Sequence, residues 1–170
     1  MILMTPLAAL LGLQVSDLFD PSLRSSQLAN RMAAQWVAAT LPPDAVLAAW
    51  DAGMLGYYAR RPVINLDGVA NSLAYWQAAQ RHSAGAFLAD RGLTHIINHS
   101  VPVGDRDPVI DQVIQSWWGA DAAARAIVIQ RWPFVFSGTT VGAAGQHSGR
   151  QEMAVLLYQL PPLPITPRSR

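Results

Sequence analysis

The chain has 170 residues, 51% of them apolar and 14% charged, with a formal net charge of +1 at pH 7 and no cysteine. This composition suits one folded globular domain and excludes a disordered segment, a basic nucleic-acid-binding protein, a disulfide scaffold and a thiolate metal site. All 12 cations are arginine and the one glutamate is Glu152, a bias that with so much alanine reflects base composition.

Met1–Val15 (MILMTPLAALLGLQV) carries no charge, yet it is shorter than the roughly 20 residues a membrane-spanning helix needs. It lacks the basic start and small-residue cleavage site of a secretory signal. It reads as the tail of a membrane helix, an apolar strip lying on the domain, or an anchor at a bilayer surface. Residues 1–24 comprise this segment and a connector around Asp20-Pro21.

From Ser25 or Ser26, a suitable N-cap, Leu28, Met32, Trp36 and Ala39 recur at helical spacing and predict an amphipathic helix that stops before Pro42-Pro43. Ala45–Trp50 is the first predicted strand, and Asp51 follows it. A short helix over Met54–Ala59 and the stretch Arg60-Arg61-Pro62 lead into a second strand, Val63–Leu66. The run Asn65-Leu66-Asp67-Gly68 has the composition of a turn in which Asx side chains bond nearby amides. Ser72 caps a helix carrying Leu73, Trp76 and Ala79, and Ala84–Arg91 is a further helix ending at Gly92. Leu93–Asn98 is the third strand, and Asp107-Pro108 opens a helix with an apolar face of Ile110, Val113, Ile114 and Trp117.

Ala124–Arg131 and Phe134–Phe136 read as strand interrupted by Pro133, which argues for an edge position or a bulge. Ser137–Arg150 is a Gly-rich connection, Glu152–Leu160 the last strand, and residues 161–170 an extended Pro-rich tail. The expected fold is α/β: a mainly parallel sheet built from βαβ units, an antiparallel C-terminal hairpin, and helices packed on the sheet in two or three layers. A single domain then covers residues 25–160.

A βαβ unit places polar groups just past its strand ends on one edge of the sheet. Asp51, Asp67 and Asn71 are therefore candidate ligand-binding residues, with Asn98 a further member of that edge. Asp51 also suits a helix cap and Asp67 an Asx turn. Two carboxylates with an asparagine suit acid–base work or a divalent ion, but nothing in the sequence splits their pKa values. No catalytic residue and no metal ligand is assigned.

Asp51-Ala52-Gly53-Met54-Leu55-Gly56 stands where a dinucleotide fold places G-x-G-x-x-G. A carboxylate at the first position would repel a pyrophosphate, so no nucleotide or other cofactor is expected. His95 and His99 fall on a strand and its exit, read as pointing in unrelated directions with no third ligand. Asn98-His99-Ser100 has the N-glycosylation pattern. Tyr57, Tyr58, Tyr75, Trp50 and Trp76 suit a sugar platform, although most fall at core spacing. Ser137–Gly149 suits a lid or a plain hairpin loop.

The stretch WDAGMLGYYARRPVINLDGVANS, joined to FLADRGLTHIIN, combines Asp-x-Gly-x-x-Gly after one strand with Asn-Leu-Asp-Gly after the next. It resembles the C-terminal extracytoplasmic soluble domain of bacterial GT-C-type membrane glycosyltransferases, the dolichyl-phosphate-mannose-protein mannosyltransferase-like proteins. The likeness covers about residues 26–100 and the remainder only in general character. In that family the transferase chemistry resides in the membrane part, where acidic residues of an early loop serve the lipid-linked donor. This sequence has no such region, so none of those residues carries over.

The resemblance implies a non-catalytic accessory domain at the extracytoplasmic face of the cell membrane. Its implied partners are the membrane part of a glycosyltransferase or the bilayer, together with a glycan acceptor, and no nucleic acid. Met1–Val15 would be the remnant of the last membrane helix. The alternative is a free-standing small α/β enzyme or a sugar-binding module using Asp51 and Asp67, so enzymatic activity stays an open question.

Overall fold

The computed structural model describes residues 21–67, 71–142 and 145–163, and opens on a long helix, α1 (Pro21–Thr40). The helix starts inside the expected connector because proline is well tolerated in the first turn, where its missing N–H has no helical partner to lose. Ser25 is therefore not a cap; its Oγ accepts the Val135 N–H at 3.3 Å, tying α1 to the sheet. The Met1–Val15 expectation lies outside the described residues.

Which face α1 buries differs from the expectation. Ala29, Ala33, Ala34 and Val37 are the buried positions, whereas Leu28 is 58% and Met32 49% exposed. Both stripes have helical spacing. The sheet selects the alanines because small side chains let the backbone come close, and Trp36 keeps an edge-to-face contact with Trp132 at 5.9 Å.

After α1 come β1 (Val46–Ala49), α2 (Ala52–Ala59), β2 (Val63–Asn65), α3 (Leu73–Gln80), α4 (Ala84–Ala89) and β3 (Leu93–Ser100). Then follow α5 (Pro108–Trp118), α6 (Ala120–Arg125), β4 (Ile127–Gly142) and β5 (Gly145–Gln159). Several local signals act as expected. Ser72 Oγ accepts the Tyr75 N–H, Asp107 accepts the Val109 N–H with Pro108 in the first turn, and Gly92 takes a left-handed φ of +69°.

The five strands form one sheet in the order β2-β1-β3-β5-β4. The β1–β2 and β1–β3 pairs are parallel, and the β3–β5 and β4–β5 pairs are antiparallel. The fold is thus mixed α/β, and the expectation of a mainly parallel sheet is met only in its βαβ half. The reason is the last strand: β5 enters between β3 and β4, contributing one antiparallel ladder on each side.

Helices cover both faces, giving three layers. On one face α1 and α2 enclose Leu47, Ala49, Ile97, Trp132, Phe134, Val155 and Leu157. On the other, α3 to α6 enclose Ala48, Ile96, Ala154, Leu156 and Tyr158. Alternation along β1 and β5 generates these two cores directly.

The C-terminal third holds the other departures. The start of the expected strand at Ala124 is helix α6, and β4 then runs straight through Pro133. The strand tolerates this proline because it lies at the edge of the sheet. A register shift between Val128 and Gln130 resets the alternation, so that Ile129 and Trp132 share one face. The expected Gly-rich connection is paired strand up to Gly142 and again from Gly145, a continuation of the hairpin rather than a loop over Ser137–Gly149. Residues 161–163 carry no regular structure, but Leu163 packs against the core and the Leu160 N–H bonds to Thr94 O at 2.8 Å.

Candidate functional site

β1 is flanked by β2 and β3, and the helices that follow β1 and its neighbours lie on opposite faces: α2 after β1, α3 after β2, α5 after β3. Open α/β sheets bind ligands at the carboxyl ends of strands where such a switch occurs. The register Ala49↔Asn65, with the Leu66 N–H bonded to Ala49 O at 2.8 Å, sets Asp51 and Asp67 level, each two residues past its strand. The two acidic residues thus come from adjacent parallel strands at one edge of the sheet.

Their surroundings separate them. Asp51 occupies the N-cap position of α2 with φ −106° and ψ 74°, and its side chain makes no capping hydrogen bond. Its charge acts instead on His99: burial holds that imidazole below its ordinary value, and the Asp51 carboxylate opposes the shift. The Nδ2 amide of buried Asn30 on α1 meets the His99 Nε2, which accepts from it in the neutral ring. The Phe134 ring lies edge-on at 5.5 Å.

Asp67 belongs to the opposite layer. Its N–H donates to the Asn65 Oδ1 at 3.0 Å, and its charge adds to burial in raising the Tyr75 phenol. Asn71 serves the same turn: its amide donates to the Asn65 carbonyl, and its Oδ1 accepts the Ser72 N–H at 2.7 Å. Tyr75, also buried, donates its O–H to Leu66 O at 3.0 Å. Asn65, Asn71 and Tyr75 therefore hold the β2–α3 turn, and the structure brings Asp67 and Asn71 together while Asp51 joins His99 and Asn30.

Asn98 is half-buried in β3 opposite Leu156, so the glycosylation pattern falls in the interior of the sheet rather than on a surface loop. The side chain of Ser100 is the one buried polar group without a hydrogen-bond partner among the described residues. His99 and Ser100 are consecutive on a strand and point to opposite faces, so they cannot act as a nucleophile and its base.

His95 and His99 are four apart on one strand and share a face, contrary to the expectation of unrelated directions, which took the strand to end at Asn98. His95 is held by its own neighbour: Nδ1 donates to Thr94 Oγ1 at 2.7 Å, while that hydroxyl also bonds the Val46 N–H and C=O across the β1–β3 register shift. Burial lowers the His95 pKa, and the Arg61 charge adds to the effect. No group of three His, Asp or Glu side chains suited to a metal ion occurs among the described residues.

Gly53 and Gly56 lie inside α2 rather than in the two-residue turn Trp50-Asp51 before it, and a Cβ at Gly53 would meet nothing within 4 Å, so these glycines are not placed as in a phosphate-binding turn. The aromatic platform is likewise divided. Tyr57 is 77% exposed on α2 and Trp76 is exposed on α3 in the other layer, while Tyr75 is buried and Trp50 stacks on Trp117 at 6.2 Å.

Two polar clusters escape sequence reasoning. Asn30–His99 had one visible signal, an asparagine within the buried alanine stripe of α1. The other joins α5, α6 and β5: Arg106 forms a two-pronged pair with Asp111, donates to the Ala123 and Ala126 carbonyls, and lies 5.6 Å from the Tyr158 ring centre. The Tyr158 hydroxyl accepts the Asp107 N–H at 2.6 Å, and burial pushes its pKa up to about 12. This cluster caps α6 and anchors the loop after β3.

Residues 20–156 match a domain of unknown function, DUF8728. The chain belongs to the DUF8728 family. The match begins one residue before α1 and ends within β5, so it takes in the whole carboxyl edge with Asp51, Asp67, Asn71 and His99. No curated protein and no solved structure matches the chain. Among the described residues of this DUF8728 domain, no helix is long and apolar enough to cross a membrane.

Proposed function

We propose that this chain is a non-catalytic accessory domain of a membrane glycosyltransferase-like protein, stationed on the extracytoplasmic face of the cell membrane. Its carboxyl edge, with Asp51, Asp67 and Asn71, faces the membrane part of that protein or its glycan acceptor. The observation that carries this reading is how the edge uses its polar groups. Asn65, Asn71 and Tyr75 are spent on holding one turn, and His99, whose pKa burial lowers, is engaged by Asn30. Among the described residues no side chain there is paired as nucleophile and base. The likeness of the Asp-x-Gly-x-x-Gly and Asn-Leu-Asp-Gly stretches to GT-C-type extracytoplasmic domains supports the location.

Photo-crosslinking amino acids placed at positions 51 and 67 in living cells test the reading. The expected products are adducts with a polytopic membrane protein or a glycan acceptor. Adducts confined to cytoplasmic soluble proteins would overturn it. A small metabolite that raises the melting temperature of the wild-type chain, but not of Asp67→Asn, would favour the free-standing alternative instead.

A further inference from the structure

We propose that the outward face of α1 and α2 is a docking surface for an anionic lipid bilayer. The inference deepens the reading above, from which it takes only the presence of a membrane nearby.

The face begins with the apolar stripe that packing leaves unused. Leu28 and Met32 recur one turn apart on α1 and are 58% and 49% exposed, while the neighbouring alanine stripe makes the core. Tyr57 stands out from α2 further along, facing Gln35 and Ala39 of α1. Between the two helices runs a cleft of about 680 Å³ lined in part by Arg31, Tyr58 and Arg60, with the Arg31 guanidinium 5.2 Å from the Tyr58 ring centre. The charged side chains within α1 and α2 are Arg24 and Arg31, and neither helix contains a carboxylate; Asp20 and Asp51 each stand one residue before a helix start, with Asp17 three residues further back in the linker.

Exposed leucine, methionine and tyrosine interleaved with arginine suit the bilayer interface. There the apolar groups enter the acyl boundary, tyrosine sits at headgroup level, and arginine pairs with phosphate. The sequence before α1 supplies a second argument for that occupant. The uncharged run Met1–Val15 is joined to α1 by residues 16–20, which reach at most about 18 Å when extended. A bilayer that takes up this run therefore lies within reach of the first turns of α1.

The exposed pair Leu73 and Trp76 on α3 is the competing patch. It lies in the layer opposite α1, and nearby Arg81 is hydrogen-bonded to Gln77.

The test uses the full chain and flotation with vesicles of phosphatidylcholine, with or without phosphatidylglycerol. The readout is the ratio of the two affinities, because any insertion of Met1–Val15 contributes to both and cancels. Each arginine near an anionic surface strengthens binding about fivefold, so Arg31→Gln combined with Arg60→Gln should lower the ratio about 30-fold. Arg81→Gln with Arg91→Gln, on the opposite layer, should leave it unchanged, and circular dichroism confirms that all variants fold. The chain has no cysteine, so an environment-sensitive label on Leu28→Cys reports on that site alone and should shift to the blue on anionic vesicles. An unchanged ratio in the Arg31/Arg60 variant, an equal fall in the Arg81/Arg91 variant, or a shift from a label on Leu73→Cys in place of Leu28→Cys overturns the proposal. Because position 51 and 67 crosslinks are scored separately, loss of this face and loss of the glycosyltransferase partner are distinguishable outcomes.

Discussion

Gly85 sits where α4 crosses α5, and replacing it by alanine tests the packing of the α3–α6 layer. A Cβ there would lie 2.7 Å from Trp117 Cβ, 2.9 Å from Trp117 O and 3.1 Å from Trp117 Cα. Two of these three atoms are backbone, so no rotamer change relieves the clash and the two helices must separate. Trp118 Nε1–H also donates to Gly85 O at 2.9 Å, a bond that separation would stretch. Overpacking of this kind costs about 1–3 kcal/mol, and backbone contacts place Gly85→Ala near the upper end. Better helix propensity returns at most about 1 kcal/mol, leaving a net loss of about 2 kcal/mol. For a chain of this size the melting temperature should fall by about 4–8 °C. Urea unfolding followed by tryptophan fluorescence measures the effect, because Trp117 and Trp118 flank the site. The matched control is Gly53→Ala in α2, where an added Cβ meets nothing within 4 Å and the change should be neutral or stabilising by up to about 1 kcal/mol. If Gly85→Ala is as stable as wild type, or Gly53→Ala loses as much, the close crossing of α4 and α5 is wrong.

Three further outcomes are expected. Tyr158 has a folded-state pKa raised from 10.0 to about 12, so its contribution is complete below pH 10 and disappears as pH rises from 10 toward 12; Tyr158→Phe should flatten that alkaline slope in denaturant titrations. His99 is lowered by burial from its ordinary 6.5, so the unfolded chain takes up its proton first and stability falls as pH drops below about 6.5. In thermal melts His99→Gln should lose less stability than wild type on that acid side, and in NMR titrations Asn30→Asp should move the His99 midpoint upward. Asn71→Ala removes one bond to the Asn65 carbonyl and one from the Ser72 N–H, and should cost about 1–2 kcal/mol in urea unfolding without altering the far-ultraviolet circular dichroism.

The candidate site was legible where local chemistry decides it. Asn65-Leu66-Asp67-Gly68 reads as an Asx turn, and the structure places the Asn65 Oδ1 on the Asp67 N–H; Asn71, by sequence only a candidate ligand residue, holds the same turn. The division between Asp51 and Asp67 was not legible. It depends on α2 and α3 covering opposite faces of the sheet, which no local signal specifies. Asn30–His99 joins residues 69 apart in sequence, and no spacing rule reaches that far.

The sequence by itself determined the elements whose signals are local. Proline and aspartate start α5, Ser72 starts α3, Gly92 closes the turn after α4, and the apolar runs at Val46 and Val63 are strands whatever surrounds them. Tertiary structure alone decided which of two helical stripes α1 would bury, because Leu28/Met32 and Ala29/Ala33 have the same period and only the sheet distinguishes large from small side chains. It also decided that β5 would lie between β3 and β4. A strand's own residues specify that it is extended and which faces are apolar, but not its neighbours: the β2-β1-β3 half offers an open edge at β2 and another at β3, and only the tertiary structure shows β5 on the β3 side.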